Sequence, residues 1–214
     1  MTDRVRRVSD DVFVLRKLLG EVAGKRVLEL GCGNGSRAVA LAGAGATVLA
    51  VDPSNEAVAQ TRQRAEESEV RIEVHVGDFA DLAYWRGDSV DIAFAQGSLD
   101  ELGDLGRVFR QVQRVLRANA WFAFSLPHPF AFCVDAEPEP EGSLPLARPY
   151  LARSYFEVDP VNGRYPHQIT AVFAALNRAG FRVDTISEPE PEATARGRAL
   201  VPTDIIWRAR KVGS

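Results

Sequence analysis

Hydrophobic and polar residues follow two different periods along most of this chain. Short apolar runs that end in glycine or aspartate predict β-strands, and apolar residues three or four positions apart predict helices. The expected elements are an opening helix at about 10–22, strands at 26–30, 47–51, 70–76, 90–95 and 121–126, and helices at 36–44, 55–67 and 105–116. Strands that alternate with helices over short connections predict right-handed crossovers and a parallel sheet.

The regular pattern stops at Pro127 and resumes at Pro166. The segment 127–165 has no clear period, and prolines recur in it. Because a connection of that length is uncommon in a compact domain unless it is functional or mobile, we expect it to be a lid that closes over a substrate. A helix from 166 to 180 should follow, and then two strands at 181–186 and 204–209 that pair antiparallel.

Size and composition narrow the classes of protein. A chain of 214 residues with 46% hydrophobic residues suits one domain, 1–214, with an N-terminal helix within 1–24 and the 127–165 segment as an insertion. A net charge of −3 argues against broad nucleic-acid binding, which needs a clustered basic face. The two distant cysteines fit neither a disulfide framework nor a zinc site, so no metal is expected. With no signal peptide and no apolar stretch long enough to span a membrane, we expect a cytoplasmic protein without a membrane partner.

The most informative motif is Glu-Leu-Gly-Cys-Gly-Asn-Gly at 29–35, between the first predicted strand and the next helix. Glycines at alternate positions let a ligand approach the backbone closely. The following helix directs its N–H groups and the positive end of its dipole into the same space. An acidic residue two positions before the first glycine suits an adenosyl ligand with an amino-acid head better than one with a pyrophosphate.

Two adenosine cofactors remain possible at this point. The nicotinamide fingerprint requires glycine at its sixth position, where this chain has Ser36, and the glycine falls at the fifth position instead. Asp52 ends the second strand and can accept the ribose hydroxyls of either cofactor. Gly77-Asp78-Phe79 follows the third strand, so a carboxylate and an aromatic ring are available for an adenine. Each of these acidic residues also has an ordinary role open to it, at a helix dipole or in a turn.

With these motifs in place, residues from Val27 to about Leu126, together with the final helix and strands, resemble the small-molecule branch of the class I S-adenosylmethionine-dependent methyltransferases. The resemblance implies a Rossmann-like doubly wound α/β sheet, mostly parallel with an antiparallel strand near the C-terminus and helices on both faces. It implies methyl transfer to an O, N or C nucleophile of a small molecule. The positions that it assigns to S-adenosylmethionine are Glu29, Gly31, Cys32, Gly33, Asn34, Gly35, Asp52, Pro53, Asp78, Phe79, Gln96 and Gly97.

The sequence departs from the family in two places. The stretch 115–121 lacks the usual Lys-Pro-Gly-Gly turn, and Asp100-Glu101 stands where a histidine doublet is common. These departures leave a non-catalytic, cofactor-binding regulatory module open as an alternative. A nicotinamide-dependent oxidoreductase is a further alternative, disfavoured by Ser36 and by the absence of a Tyr-x-x-x-Lys pair.

Candidate residues for the chemistry come from the irregular segment and its neighbours. A sulfonium methyl is already electrophilic, so a base is needed only where the acceptor must lose a proton. His128, just after the fifth strand, is the candidate base, with a hydrogen-bonded turn histidine as the alternative. The candidate substrate contacts are His128, Phe130, Tyr155, Tyr165 and His167. A helix cap is the alternative role for His167, and the sequence leaves monomer or homodimer open.

Overall fold

The computed structural model describes residues 18–134, 146–151, 156–157, 163–190 and 201–213. Its strands are β1 (Arg26–Leu30), β2 (Thr47–Asp52), β3 (Ile72–Val76), β4 (Val90–Gln96), β5 (Leu116–Pro127), β6 (Phe156–Glu157), β7 (Gly163–Arg164), β8 (Phe181–Ser187) and β9 (Asp204–Lys211). Its α-helices are α1 (Ser36–Gly43), α2 (Asn55–Glu67), α3 (Leu105–Val115) and α4 (Ile169–Arg178), and Pro129–Phe132 forms a 3₁₀ turn.

Seven of these strands form one sheet in the order β3-β2-β1-β4-β5-β9-β8. Strands β1 to β5 pair parallel, and β9 runs antiparallel to both of its neighbours. The predicted doubly wound sheet with an antiparallel strand near the C-terminus is therefore confirmed. Strand β1 lies between β2 and β4, so the direction of strand order reverses there, and ligands of such sheets bind beyond the carboxyl ends at this reversal.

Helices cover both faces of the sheet, which explains why its central strands are almost wholly apolar. On one face α3 and α4 pack over a cluster of aromatic rings, in which Phe124 lies 4.8 Å from Phe122 and 5.3 Å from Phe109 between ring centroids. Trp207 stacks on Phe124 in the same cluster and is fully buried. The other face is packed by α1 and by the residues before β1, including Leu19.

Most predicted boundaries agree with the structure to within two residues, and the larger differences have local causes. Of the predicted opening helix, residues 10–17 lie outside the described residues, and the helical backbone ends at Leu19 instead of Val22, since Gly20 has a φ of 66°. Helix α4 begins at Ile169, three residues after Pro166, because the backbone of Gln168 is still extended.

Strand β5 begins earlier than predicted and contains an irregularity. Leu116 pairs with Val90 and Trp121 pairs with Ile92, so residues 117–120 form an excursion between two paired positions. Asn119 has a φ of 62° within it, a conformation that asparagine tolerates better than most residues. The excursion lies where the family usually has a Lys-Pro-Gly-Gly turn, and in this chain it is built around Asn119.

Part of the 127–165 segment lies within the described residues. It contains the 3₁₀ turn, a bridge between Val134 and Leu146, and the short antiparallel pair of β6 and β7. The Tyr155 position lies outside the described residues, and the role of the segment as a lid stays a prediction. Each helix in the described part of the chain is too short or too polar to cross a membrane.

Candidate active site

The glycine loop connects β1 to α1 at the reversal point of the sheet. Gly31, Gly33 and Gly35 all have positive φ, at 84°, 52° and 79°. A Cβ on Gly31 would overlap the side chain of Ser98, and one on Gly35 would lie 2.7 Å from the Cα of Thr61. Two of the glycines are therefore required by the packing of the protein itself.

Gly33 differs from its two neighbours in what surrounds it. A Cβ at this position would meet no atom within 4 Å, so the space beside it is open. Its N–H donates to Oδ2 of Asp52 at 3.0 Å, which holds the loop in place from β2. The backbone of Gly33 is thus rigidly placed beside an open space, as a ligand that approaches the main chain requires.

Asp52 is held between two backbone donors. Its Oδ2 accepts from Gly33, and its Oδ1 accepts from the N–H of Ser54 at 2.9 Å. Although the residue is only 8% exposed, it stands at the carboxyl end of β2 beside the glycine loop, as predicted. Each carboxylate oxygen has two lone pairs, so both retain capacity for ligand hydroxyls.

Glu29 is completely buried and is paired with Arg37, which was not among the predicted site residues. Nε of Arg37 in α1 donates to its Oε1 at 2.8 Å, and Nη2 of Arg37 donates to the carbonyl of Gly31 at 3.0 Å. One guanidinium therefore neutralises the buried charge and ties the loop to its helix. A signal was available in the sequence, because Arg37 is the single basic residue between Arg26 and Arg62.

Cys32 points into the protein. Its Sγ accepts a hydrogen bond from the hydroxyl of Thr61 at 3.2 Å, and the thiol is buried. Burial raises its pKa to about 11, opposed by the Thr61 hydrogen bond and reinforced by the charges of Glu29 and Asp52. The thiol therefore stays protonated and fills space under the loop, and only its backbone is positioned to meet a ligand.

The residues predicted to meet an adenine lie beyond β3. Phe79 is buried, and its ring comes within 3.6 Å of where a Gly31 Cβ would stand, so it packs beneath the glycine loop. Asp78 is exposed, and its Oδ1 accepts from the N–H of Ala80 at 2.8 Å. Pro53 is exposed directly after Asp52. The structure thus brings these positions to the same edge of the sheet as the loop.

The turn after β4 is joined to the end of β1. Ser98 donates its hydroxyl to the carbonyl of Leu30 at 2.7 Å, and Gly97 has a φ of 63°. Since Gln96 and Gly97 directly precede Ser98, they lie beside the glycine loop, where the resemblance places them. Ser98 belongs to the same predicted turn, which the resemblance places at the sulfonium end of the cofactor, and its side chain is also what makes Gly31 necessary.

His128 follows β5 and has partners for both ring nitrogens. Nδ1 accepts from the N–H of Phe130 at 3.2 Å, and Nε2 lies 3.0 Å from Oε1 of Glu188. The residue is 6% exposed and caps the 3₁₀ turn. The turn role is therefore present in the structure, and the role as a base stays a prediction.

Tyr165 and His167 lie against the turn after β4. The N–H of Tyr165 donates to the carbonyl of Asp100 at 2.8 Å, and the Tyr165 ring would be 3.1 Å from a Cβ on Gly103. His167 does not cap α4, because Gln168 is the cap residue and makes no side-chain cap bond. Burial lowers the pKa of His167, partly offset by hydrogen bonds to the backbone of Leu102 and Leu99 and by the charge of Asp100.

Phe130 faces a different part of the molecule. With Cys133, Arg148 and Tyr150 it lines an open cavity of about 410 Å³ between the 3₁₀ turn and residues 146–151. Gln168, at the start of α4, donates to the carbonyl of Tyr150 at 3.4 Å. This cavity therefore borders the segment that carries Tyr165 and His167.

Comparison with known proteins explains this arrangement. Residues 27–119 match a family model described as a methyltransferase domain. An S-adenosylmethionine-dependent methyltransferase from Mesorhizobium loti superposes with a TM-score of 0.80 at 26% identity, covering 94% of this chain and 99% of that one. Both matches support the predicted family, the class I S-adenosylmethionine-dependent methyltransferases, and the structural match covers nearly the whole chain.

Curated relatives match this chain over a shorter stretch. One is named ubiquinone biosynthesis O-methyltransferase, from Bordetella avium, at 29% identity over 56% of this chain and 52% of the relative. Another is named 27-O-demethylrifamycin SV methyltransferase, from Amycolatopsis mediterranei, at 34% identity over 54% of this chain and 44% of the relative. The chain thus spans about half the length of the curated relatives it matches.

Proposed function

We propose that this methyltransferase moves the methyl group of S-adenosylmethionine to an O, N or C nucleophile of a small molecule. The observation that carries the proposal is the open space beside Gly33, whose backbone is fixed by Asp52. Other exposed glycines of the chain also have open space beside them, and Gly33 differs in that a carboxylate from the neighbouring strand holds its backbone at the carboxyl edge of the sheet. This arrangement suits a ligand that lies against the backbone.

The chemistry of the surrounding groups fits the parts of S-adenosylmethionine. In the proposal, Asp52 accepts the ribose hydroxyls, residues 31–35 with Glu29 surround the amino-acid head, and Pro53 lies against the adenine. Asp78 and Phe79 meet the edge and side of the adenine, and Gln96 with Gly97 faces the sulfonium. The carboxyl ends of β1, β2 and β4 converge at this point, and this convergence supports the fit. Asp52 at the end of β2 bonds to Gly33 in the loop, and Ser98 after β4 bonds to Leu30 at the end of β1.

Once bound, S-adenosylmethionine supplies a methyl group that is already electrophilic. The work of this chain is then to orient an acceptor in line with that methyl and to exclude water. The candidate acceptor contacts are His128, Phe130, Tyr155, Tyr165 and His167. Those within the described residues lie on two segments that border the carboxyl ends of β4 and β5.

We also propose that residues 1–214 act as one domain, with 127–165 as a lid over the acceptor. The acceptor is a small molecule, and the net charge of −3 supports the exclusion of nucleic acid. The protein works in the cytoplasm as a monomer or homodimer. Gel filtration with light scattering measures which of the two states it adopts.

Calorimetry with S-adenosylhomocysteine tests the proposal directly. The wild-type chain should bind it with micromolar affinity, and Asp52→Ala should abolish binding because the ribose loses its acceptor and the Gly33 loop loses its anchor. Asp52→Asn retains one acceptor oxygen and should bind with intermediate affinity. Asp184→Asn, on the distant edge strand β8, is the matched control and should bind like the wild type.

The outcomes separate the three candidate functions. Binding of a reduced nicotinamide in place of S-adenosylhomocysteine would overturn the proposal in favour of an oxidoreductase. A chain that binds S-adenosylhomocysteine but methylates no compound in a broad screen of phenols, alcohols and amines would favour the regulatory module.

A further inference from the structure

The turn after β4 and the segment before α4 are joined by several contacts. Nη1 of Arg164 lies 2.6 Å from Oδ2 of Asp100, and the N–H of Tyr165 donates to the Asp100 carbonyl at 2.8 Å. The imidazole of His167 lies beside the backbone of Leu99 and Leu102. Residues 99–102 and 164–167 therefore form one wall, which we call the β4 wall, directly after the turn that holds Ser98.

Two hydrogen-bonding atoms of this wall have no partner. Oδ1 of Asp100 and Nε2 of His167 are both buried and make no hydrogen bond in the described part of the chain. Asp100 itself is only 1% exposed. Buried polar groups in proteins are nearly always satisfied, so these two atoms are expected to have a partner that the chain does not supply.

The missing partner has a definite chemistry. Asp100 pairs with Arg164 as a carboxylate, so its Oδ1 can only accept a hydrogen bond. Because Nε2 of His167 has no partner, Nδ1 is the ring nitrogen left to face the backbone of Leu99 and Leu102, and we assign the proton to it. A neutral imidazole protonated at Nδ1 has a lone pair at Nε2. Two acceptors are satisfied by a partner that donates hydrogen bonds, as a hydroxyl group does.

The other two histidines of the chain are engaged elsewhere. Nε2 of His75 lies 3.2 Å from Glu73 on strand β3, and its ring stacks on Tyr84. Both nitrogens of His128 have partners, in Phe130 and Glu188. His167 is thus the one histidine of the described residues whose Nε2 is available as a proton acceptor beside the β4 turn.

We propose that His167 is the general base of the transfer and that the methyl acceptor is a hydroxyl group, with Asp100 as the positioning residue. This inference rests on the proposed function and narrows its acceptor from O, N or C to oxygen. As the acceptor oxygen forms its bond to the methyl carbon, its proton passes to Nε2 of His167. The carbon–sulfur bond of the sulfonium breaks with its electron pair left on sulfur, and the proton later leaves His167 for solvent.

The charges around His167 suit this role. Asp100 faces the imidazole and stabilises it once it has gained the proton, while Arg164 holds Asp100 in position and Tyr165 lies 6.2 Å from the imidazole between ring centroids. Burial lowers the pKa of His167, so the imidazole is neutral and ready to accept at physiological pH. The buried wall also keeps water from competing for the methyl group.

Nitrogen NMR of the holoprotein tests the state of the base without turnover. The chain has three histidines, so ¹⁵N-histidine labelling with His75→Asn, His128→Asn and His167→Asn variants assigns every signal. With S-adenosylhomocysteine bound at pH 7, Nε2 of His167 should show the shift of an unprotonated nitrogen. A proton on Nε2, or an imidazolium at that pH, would overturn the proposal.

Turnover of catechol tests the acceptor, since catechol presents two adjacent O–H donors to the two unpartnered acceptor atoms. The wild type should methylate it at a rate that is constant above neutral pH. His167→Asn should lose about 100-fold or more in kcat and depend on hydroxide, with S-adenosylhomocysteine affinity unchanged. Asp100→Asn should lower kcat and shift the acid limb of the pH profile to lower pH. His75→Asn is the matched control and should behave as the wild type.

Failure of this inference is distinguishable from failure of the proposed function. A wild-type chain that binds no S-adenosylhomocysteine contradicts the function itself. A chain that binds it but transfers no methyl group to catechol, or whose His167→Asn variant retains the wild-type rate and pH profile, contradicts only the base and its hydroxyl acceptor.

Discussion

A Cβ atom on Gly31 would lie 2.6 Å from the hydroxyl oxygen of Ser98, in the same space that the Ser98 side chain occupies. The two residues stand at the carboxyl ends of adjacent strands, β1 and β4, and the Ser98 hydroxyl also binds the carbonyl of Leu30. The glycine loop is therefore shaped by its neighbour within the protein as well as by the ligand it is proposed to hold.

Gly31→Ala should lower the free energy of unfolding by at least about 2 kcal/mol, because the positive φ and the overlap with Ser98 both penalise a methyl group. Urea denaturation measures this. Gly31→Ala combined with Ser98→Gly should recover the part due to overlap and leave the part due to φ. Gly43→Ala, with no atom within 4 Å and no positive φ, is the control and should be neutral or stabilising. Equal losses in the single and double variants would contradict the packing argument.

Arg37→Gln should destabilise the protein by about 3 kcal/mol, because removing one partner leaves a buried carboxylate uncompensated. Glu29 is fully buried and the Arg37 side chain is 12% exposed, so solvent screens the pair little. Glu29→Gln in the same chain should restore much of the loss. Arg182→Gln, whose side chain is 70% exposed, should change stability by less than about 0.5 kcal/mol. A similar small effect of Arg37→Gln would show that the pair is unimportant.

Deletion of residues 135–145 should leave cofactor affinity within about threefold of the wild type and reduce methyl transfer at least about tenfold. The flanking residues Val134 and Leu146 are bridge partners, so a short Gly-Gly connection can join them without strain. Calorimetry with S-adenosylhomocysteine and a turnover assay measure the two effects. Loss of cofactor binding in the shortened chain would refute the lid.

The stability of the protein should fall as pH falls below about 6.5, in part because of His167. Burial lowers its pKa in the folded state, so the unfolded chain gains a proton first. The contribution of His167 is therefore complete above the unfolded pKa and is lost as pH falls toward the folded pKa. Thermal unfolding at pH 7.5 and pH 5.5 should show a smaller difference for His167→Asn than for the wild type. An unchanged difference would exclude this histidine as a source.

Neither cysteine should react with a disulfide reagent at pH 8 while the protein is folded. Burial raises the pKa of Cys32 to about 11 and also raises that of Cys133, against the charge of Arg148. The thiolate fraction of Cys32 at pH 8 is then about one in a thousand. Two thiols should appear on denaturation in guanidinium. Rapid modification of one thiol in the native protein would contradict its burial.

Local patterns predicted the elements that depend on local physics. The hydrophobic period and the spacing of the glycines predicted the bounds of β1 and α1 to within one residue. The hydroxyl of Ser54 caps α2, as predicted, by accepting from the N–H of Ala57. The start of α4 was misplaced because a proline preference does not show that residues 165–168 remain extended against the β4 turn.

Taken by itself, the sequence determined the alternation of strands and helices, the glycine loop and the acidic residue at the end of β2. Those features depend on residues close together in the chain, and they sufficed to predict the fold and the resemblance to the family. The partners of Glu29, Gly31 and Asp100 were decided only by the tertiary structure, because Arg37, Ser98 and Arg164 reach them from other elements. Burial and pairing are properties of three-dimensional packing, and no period along the chain encodes which histidine is left with a free lone pair.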